Sequence, residues 1–141
     1  METRHAQEDT SESIAPGWTK LSFDAPESST YTLAKYAPAG NGNVLDADGS
    51  SKSLHDIFDD KIVLLNFMYS TCTDVNGCPL ATAVFHKVRN ILNKDPKIGK
   101  QVSLVSLSFD PNNDSPDVMK LYGFGTDKGS VKWDFLTTAS Y

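Results

Sequence analysis

The stretch Ile62-Val63-Leu64-Leu65-Asn66-Phe67-Met68-Tyr69-Ser70-Thr71-Cys72-Thr73-Asp74-Val75-Asn76-Gly77-Cys78-Pro79 passes from a nearly continuous apolar run, through a short polar loop, to a proline. The first eight residues read as a central parallel strand, because strands covered on both faces lack polar alternation. Pro79 suits the first helical position, where its fixed φ is already helical and its missing N–H has no partner to lose. Behind it, Leu80, Val84, Phe85, Val88, Ile91 and Leu92 fall on one helical stripe. The two cysteines therefore lie where a strand gives way to an amphipathic helix.

Working outward, Asp95-Pro96 stops that helix, and Val102 to Phe109 reads as a second strand with β-branched and aromatic residues. Strand, helix and strand in this order imply a right-handed parallel crossover, so the fold class is α/β with a mostly parallel sheet and flanking helices. Asp114-Ser115-Pro116 opens another helix over Asp117 to Tyr122, with Asp114 or Ser115 as its cap. Gly123, Phe124 and Gly125 end it, and Val131 to Leu136 alternates as one more strand.

On the amino-terminal side, residues 1–16 are polar and aperiodic and read as a flexible leader, which leaves 17–141 as one domain. Trp18 to Leu33 reads as extended accessory strands, followed by a loop over residues 37–43. Asp48-Gly49 marks a hairpin turn, since both residue types tolerate positive φ. Asp46-Ala47-Asp48-Gly49 lacks the spaced acidic ligands and closing Glu of a calcium loop.

The chain has 141 residues, enough to bury roughly two thirds of its unfolded surface in one domain. Thirteen basic and eighteen acidic residues give a net charge of -5 with no cationic stripe, which speaks against nucleic acid as a partner. The apolar run at Ile62 is far too short to cross a bilayer. Met1 to His5 lacks the apolar stretch of a secretory signal, so an export signal or anchor is expected to be missing from this sequence.

Cys72 and Cys78 can form a disulfide, hold a metal or be unrelated buried thiols. A bridge closing so short a loop stabilises a fold by only about 2 kcal/mol on the chain-entropy view, which favours chemistry over a staple. The carboxyl end of a strand gathers ligands in open α/β sheets, and a helix start adds free N–H groups and positive partial charge. Both favour thiolate, the species that attacks disulfides and also binds soft metals, so position alone does not separate the two roles. Two cysteines with no histidine nearby suit Cu(I) better than zinc, which takes four ligands.

Thr71-Cys72-Thr73-Asp74-Val75 followed by Cys78-Pro79 resembles the Sco/SenC signature, in which Cys-Pro-Asp-Val-Cys-Pro follows an apolar strand. Ser108 to Tyr122, with Asp110-Pro111 and Asp114-Ser115-Pro116 inside it, is similar to the family's Ser-Val-Asp-Pro-x-x-Asp-Thr-Pro-x-x-Leu-x-x-Tyr segment. The resemblance runs from Leu45, where Asp46 to Gly49 looks like the family hairpin, through Thr137. It implies a thioredoxin-like fold and an extracytoplasmic location, either the bacterial periplasm, with or without a membrane anchor, or the mitochondrial intermembrane space. It also implies copper handling, with a cytochrome c oxidase subunit as the copper-accepting partner. Carried over by position, Cys72 and Cys78 are the metal ligands and Asp74 a neighbour that shapes the loop.

Two departures stand out. Asn76-Gly77 lengthens the spacing to Cys-x5-Cys where the family has Cys-x3-Cys, and an Asn-Gly turn can bulge outward while the sulfurs still meet. The family's third ligand, a histidine in a later hairpin, has no counterpart. The chain is therefore expected to be truncated before that hairpin and the final helix, or completed by self-association or a swap. His86 sits two turns along the helix and is expected to point away from the sulfurs, while His55 and His5 lie in no motif. Met68 and Met119 are expected to fill core space, and Asp110 and Asp114 to serve strand end and helix cap.

The leading function is a copper metallochaperone, not an enzyme in the usual sense. The alternative is a thiol-disulfide oxidoreductase working through the same Cys72 and Cys78. Below these stand a peroxidase-like thiol protein and a domain that binds a partner without metal.

Overall fold

The computed structural model describes residues 13–141, so the greater part of the leader expected over 1–16 lies outside the described residues. Val44 and its neighbours open the regular structure as a hairpin of β1 (Asn43–Leu45) and β2 (Ser51–Ser53). Its turn is held by Asp46, whose Oδ1 accepts from the N–H groups of Asp48 at 2.9 Å and Ser50 at 3.0 Å. Gly49 takes a positive φ of 79°, and Lys52 reaches back to Asp46 at 2.7 Å. The acidic run is thus spent on a turn, as its spacing predicts.

A short helix α1 (Leu54–Phe58) leads to β3 (Ile62–Met68), then α2 (Cys78–Leu92), a single turn α3 (Pro96–Gly99) and β4 (Val102–Ser108). Helix α4 (Pro116–Tyr122) and β5 (Lys132–Leu136) complete the order. The three longer strands form one parallel sheet in the order β3-β4-β5, with Ile62 paired to Val102 and Leu104 to Trp133. The hairpin joins its far side through reciprocal bonds between Leu45 and Thr137.

The sheet order corrects one expectation. All seven residues of β4 are buried, whereas β3 lies at an edge and leaves Ile62 65% and Phe67 62% exposed. An unbroken apolar run signals a strand but carries no information about which neighbour it lacks. A second correction concerns Trp18 to Leu33, which forms no strand. Leu21, Phe23, Tyr31 and Leu33 are all more than half exposed there, so the segment buries no apolar face that would hold it as a strand.

Two apolar layers sandwich β4. Met68, Leu104, Met119, Val131, Trp133 and Phe135 pack with Phe85 and Leu92 of α2 on one face. Val44, Ile57, Val105, Leu107 and Leu136 fill the other, beneath the hairpin and α1. Polar bonds tie the three strands together inside the first layer: Ser106 donates to Asn66 at 2.7 Å and accepts from the Trp133 indole at 3.1 Å. Met68 and Met119 are fully buried, as core filling requires. On α2, Ile91 belongs to the predicted stripe yet is 56% exposed, and Arg89 is buried instead. Its guanidinium donates to the carbonyls of Thr126 at 2.6 Å, Val131 at 3.4 Å and Lys128, so a cation closes the loop before β5.

Candidate functional site

The loop between β3 and α2 is folded by its own backbone. The Cys72 N–H donates to the Tyr69 carbonyl at 3.2 Å, turning the chain as it leaves the strand. The Asp74 side chain accepts from the Asn76 N–H at 3.0 Å, and the Asp74 carbonyl accepts from the Gly77 N–H at 2.9 Å. This Asx turn absorbs the Asn76-Gly77 pair and delivers Gly77 as the residue before α2, which Cys78 begins. A Cβ placed on Gly77 would lie 3.4 Å from the Cys72 sulfur, which shows how closely the loop folds back over the helix start.

Cys72 and Cys78 are both free thiols and both half-buried. Their environments differ. The Cys72 thiol is held below its ordinary range first by the backbone N–H of Cys78, then by the Cys78 thiol, with the Asp74 N–H and the Tyr69 hydroxyl adding to it. Burial pushes the Cys78 thiol up, and the neighbouring Cys72 charge adds to that. Both directions make Cys72 the more acidic thiol of the two, at a helix start whose free N–H groups favour thiolate.

The expected site residues thus fall as follows. Cys72 and Cys78 come together. Asp74 stands beside them through its N–H and its turn, not through its carboxylate, which bonds to Asn76. His86 is elsewhere, its ring edge-on to Trp133 at 4.8 Å, where lost hydration lowers its pKa. The His55 ring nitrogen contacts the Ala39 carbonyl at 2.9 Å, and His5 lies outside the described residues. Among the described residues, no set of three His, Cys, Asp or Glu side chains could hold a metal ion, so the thiol pair has no third partner of that kind there.

Asp114 departs from its expected place as a helix cap. Ser115 caps α4, accepting from Val118 N–H at 3.4 Å, and Asp114 is fully buried behind the cysteine loop. It accepts from the Ser70 N–H at 3.0 Å, from the Ser70 hydroxyl, and from the Ser108 hydroxyl at 2.5 Å. Spacing could not reveal this, because Ser70 and Asp114 are 44 residues apart. Asp110 is a surface group bonded to Asn113 at 2.7 Å and to Tyr141 at 3.0 Å, which lower its pKa. On the outer side, Gly17 at φ 86° lies against the Val75 carbonyl so closely that a Cβ would sit 2.4 Å from that oxygen.

A parallel α/β sheet that presents an asymmetric dithiol at a strand-to-helix junction defines a thiol or soft-metal protein of thioredoxin-like architecture. The SCO1/SenC family pattern matches residues 32–137, and the chain belongs to that family. Among solved structures, BsSco, described as showing a disulfide switch and as a member of the Sco family of cytochrome c oxidase assembly proteins, is 29% identical with a TM-score of 0.56. The match covers 72% of this chain and 55% of BsSco. Bradyrhizobium japonicum ScoI with copper bound is 25% identical with a TM-score of 0.57, over 72% of this chain and 59% of that one. Yeast Sco1 with copper bound shares the fold at 24% identity and a TM-score of 0.57, over 74% and 61%. The chain thus spans less than two thirds of each of these structures. No curated protein matches it. No helix among the described residues is long and apolar enough to cross a membrane.

Proposed function

We propose that this protein holds one copper ion between the sulfurs of Cys72 and Cys78 and passes it by ligand exchange to a copper-accepting protein of cytochrome c oxidase assembly, outside the cytoplasm. The observation that carries the reading is that the Cys72 sulfur folds back over the start of α2, 3.4 Å from where a Cβ on Gly77 would stand, next to Cys78 as the first helical residue. Copper is the cargo of this site. Cu(I) accepts few, soft ligands, so a thiolate pair suffices to hold it, and a two-ligand site leaves room for an acceptor's ligand to enter before either sulfur lets go. The copper-bound ScoI structure supports the choice of metal.

Anaerobic titration of the reduced protein with Cu(I), competed against a chromophoric chelator, tests the reading. One site per chain, lost in Cys72→Ala and in Cys78→Ser, is expected. Wild-type stoichiometry in either variant contradicts it.

The same atoms favour a second reading, a thiol-disulfide exchange protein. Its specific support is the asymmetry of the pair: a low-pKa sulfur to attack a partner's disulfide and a protonated one beside it to resolve the mixed disulfide. Failure to bind copper together with rapid reduction of disulfide substrates would reverse the order of the two readings.

A further inference from the structure

Among the described residues Asp114 is the one carboxylate that is fully buried, and it takes part in none of their ion pairs. A carboxylate placed there is costly unless hydrogen bonds replace its water. The bonds it receives say what it is for. Two come from Ser70, one from the backbone N–H to Oδ2 and one from the hydroxyl to Oδ1. The third comes from the hydroxyl of Ser108, the last residue of β4. That hydroxyl also accepts from the Asp110 N–H at 3.0 Å, so the end of the central strand is fixed from both sides.

Both Asp114 oxygens grip one residue, and that residue stands two positions before Cys72. A two-point grip sets orientation as well as position, because Ser70 cannot pivot about a single bond. Helix α4 does not need this carboxylate, since Ser115 supplies its cap. The turn from Tyr69 to Cys72 starts at the gripped residue's neighbour, so a shift of Ser70 moves the Cys72 sulfur relative to the N–H groups of α2.

We propose that Asp114 is a positioning residue for the dithiol site: by clamping Ser70 against the end of β4 it fixes where Cys72 stands relative to Cys78. For its copper readout this rests on the function proposed above. Groups that orient metal ligands from behind change affinity by about 10- to 100-fold when removed.

The test uses the full chain and two readouts. The first is the Cu(I) dissociation constant of reduced Asp114→Ala, Asp114→Asn, Ser70→Ala and the Asp114→Ala/Ser70→Ala double variant. The second is the equilibrium of each with glutathione, in which Cys72 and Cys78 are oxidised to one disulfide as glutathione disulfide is reduced to two glutathione thiols. Asp114→Ala is expected to weaken Cu(I) binding about tenfold. Asp114→Asn is expected to stay within about threefold of wild type, because an amide oxygen at Oδ2 still accepts from Ser70 and Ser108 and its NH2 can donate to the Ser70 oxygen. Ser70→Ala weakens binding less than Asp114→Ala, and the double variant is no weaker than Asp114→Ala alone, since the two act as one unit. Ile57→Ala, in the opposite core layer, lowers the melting temperature without moving either readout.

Wild-type values of both readouts in folded Asp114→Ala overturn the proposal. If Asp114→Ala does not fold, wild-type values in Ser70→Ala overturn it. If wild type itself fails to bind Cu(I), the function proposed above fails, and the glutathione equilibrium alone decides: a change of about tenfold in Asp114→Ala with rescue in Asp114→Asn upholds the clamp, and no change removes it.

Discussion

The sulfur of Cys72 packs over the start of α2, 3.4 Å from where a Cβ on Gly77 would stand, and the N–H of Cys78, the first helical residue, is the main cause of its lowered pKa. This one contact links the loop, the helix start and the chemistry, because the helix end supplies both N–H groups and the positive partial charge that favour thiolate. Its consequence is that the two cysteines react differently. With limiting iodoacetamide at pH 7, Cys72 is expected to be alkylated first, as read by peptide mass spectrometry. In Cys78→Ala the thiol donor is lost but the backbone donor remains, so the Cys72 pKa rises while staying below that of an ordinary cysteine. Equal alkylation of both cysteines in wild type would contradict this.

Gly17 and the Val75 carbonyl meet at a distance that no side chain fits, and the positive φ at Gly17 strains any other residue. Gly17→Ala is expected to cost about 1 to 2 kcal/mol locally. It lifts the turn at Ala15 to Trp18 off the cysteine loop. Limited proteolysis near residue 17 should accelerate, and Trp18, whose ring now lies near Lys87, should shift its fluorescence. An unchanged cleavage rate would show that the contact is not formed in solution.

Arg89 holds three carbonyls ahead of β5 from a buried position. Arg89→Ala leaves those acceptors without their donor and is expected to destabilise by about 3 kcal/mol, lowering the melting temperature by about 10 °C. Arg89→Lys recovers little, because an ammonium cannot reach three carbonyls with a planar fork. A melting temperature within about 2 °C of wild type for Arg89→Ala would refute this account.

Asp46 provides the pH dependence of the hairpin. Its pKa is lowered, first by Lys52 and then by the N–H groups of Ser50 and Asp48, against an opposing effect of burial. A carboxylate with a depressed folded pKa stabilises fully above its unfolded value, and the contribution is lost as pH falls through the folded value. Between pH 5 and pH 2 the wild type should therefore lose more stability than Asp46→Asn, measured by urea unfolding. Parallel curves would place the loss elsewhere.

Much of the architecture was readable in local patterns. The apolar run at Ile62, the stripe after Pro79 and the alternation at Trp133 each name an element, and hydrophobic period is a property of the residues themselves. What escaped is set by partners distant in sequence. Nothing in Ile62 to Met68 says that β3 is an edge, and nothing in Trp18 to Leu33 says that the segment stays off the sheet. At the site, Cys72, Cys78 and the turn at Asn76-Gly77 were legible because they sit within seven residues of each other. The Ser70–Asp114 clamp and buried Arg89 were not: Asp114 next to Ser115-Pro116 has the look of a helix cap, and an arginine beside a helical stripe has the look of a solvated charge.

The claim on which the account depends is that both sulfurs hold one metal ion. X-ray absorption at the copper edge of the Cu(I)-loaded protein measures it directly. The account predicts two sulfur scatterers around copper in wild type and one fewer from the protein in Cys72→Ala and in Cys78→Ser. A wild-type copper surrounded by nitrogen or oxygen, or by a single sulfur unchanged in one of the variants, would contradict it.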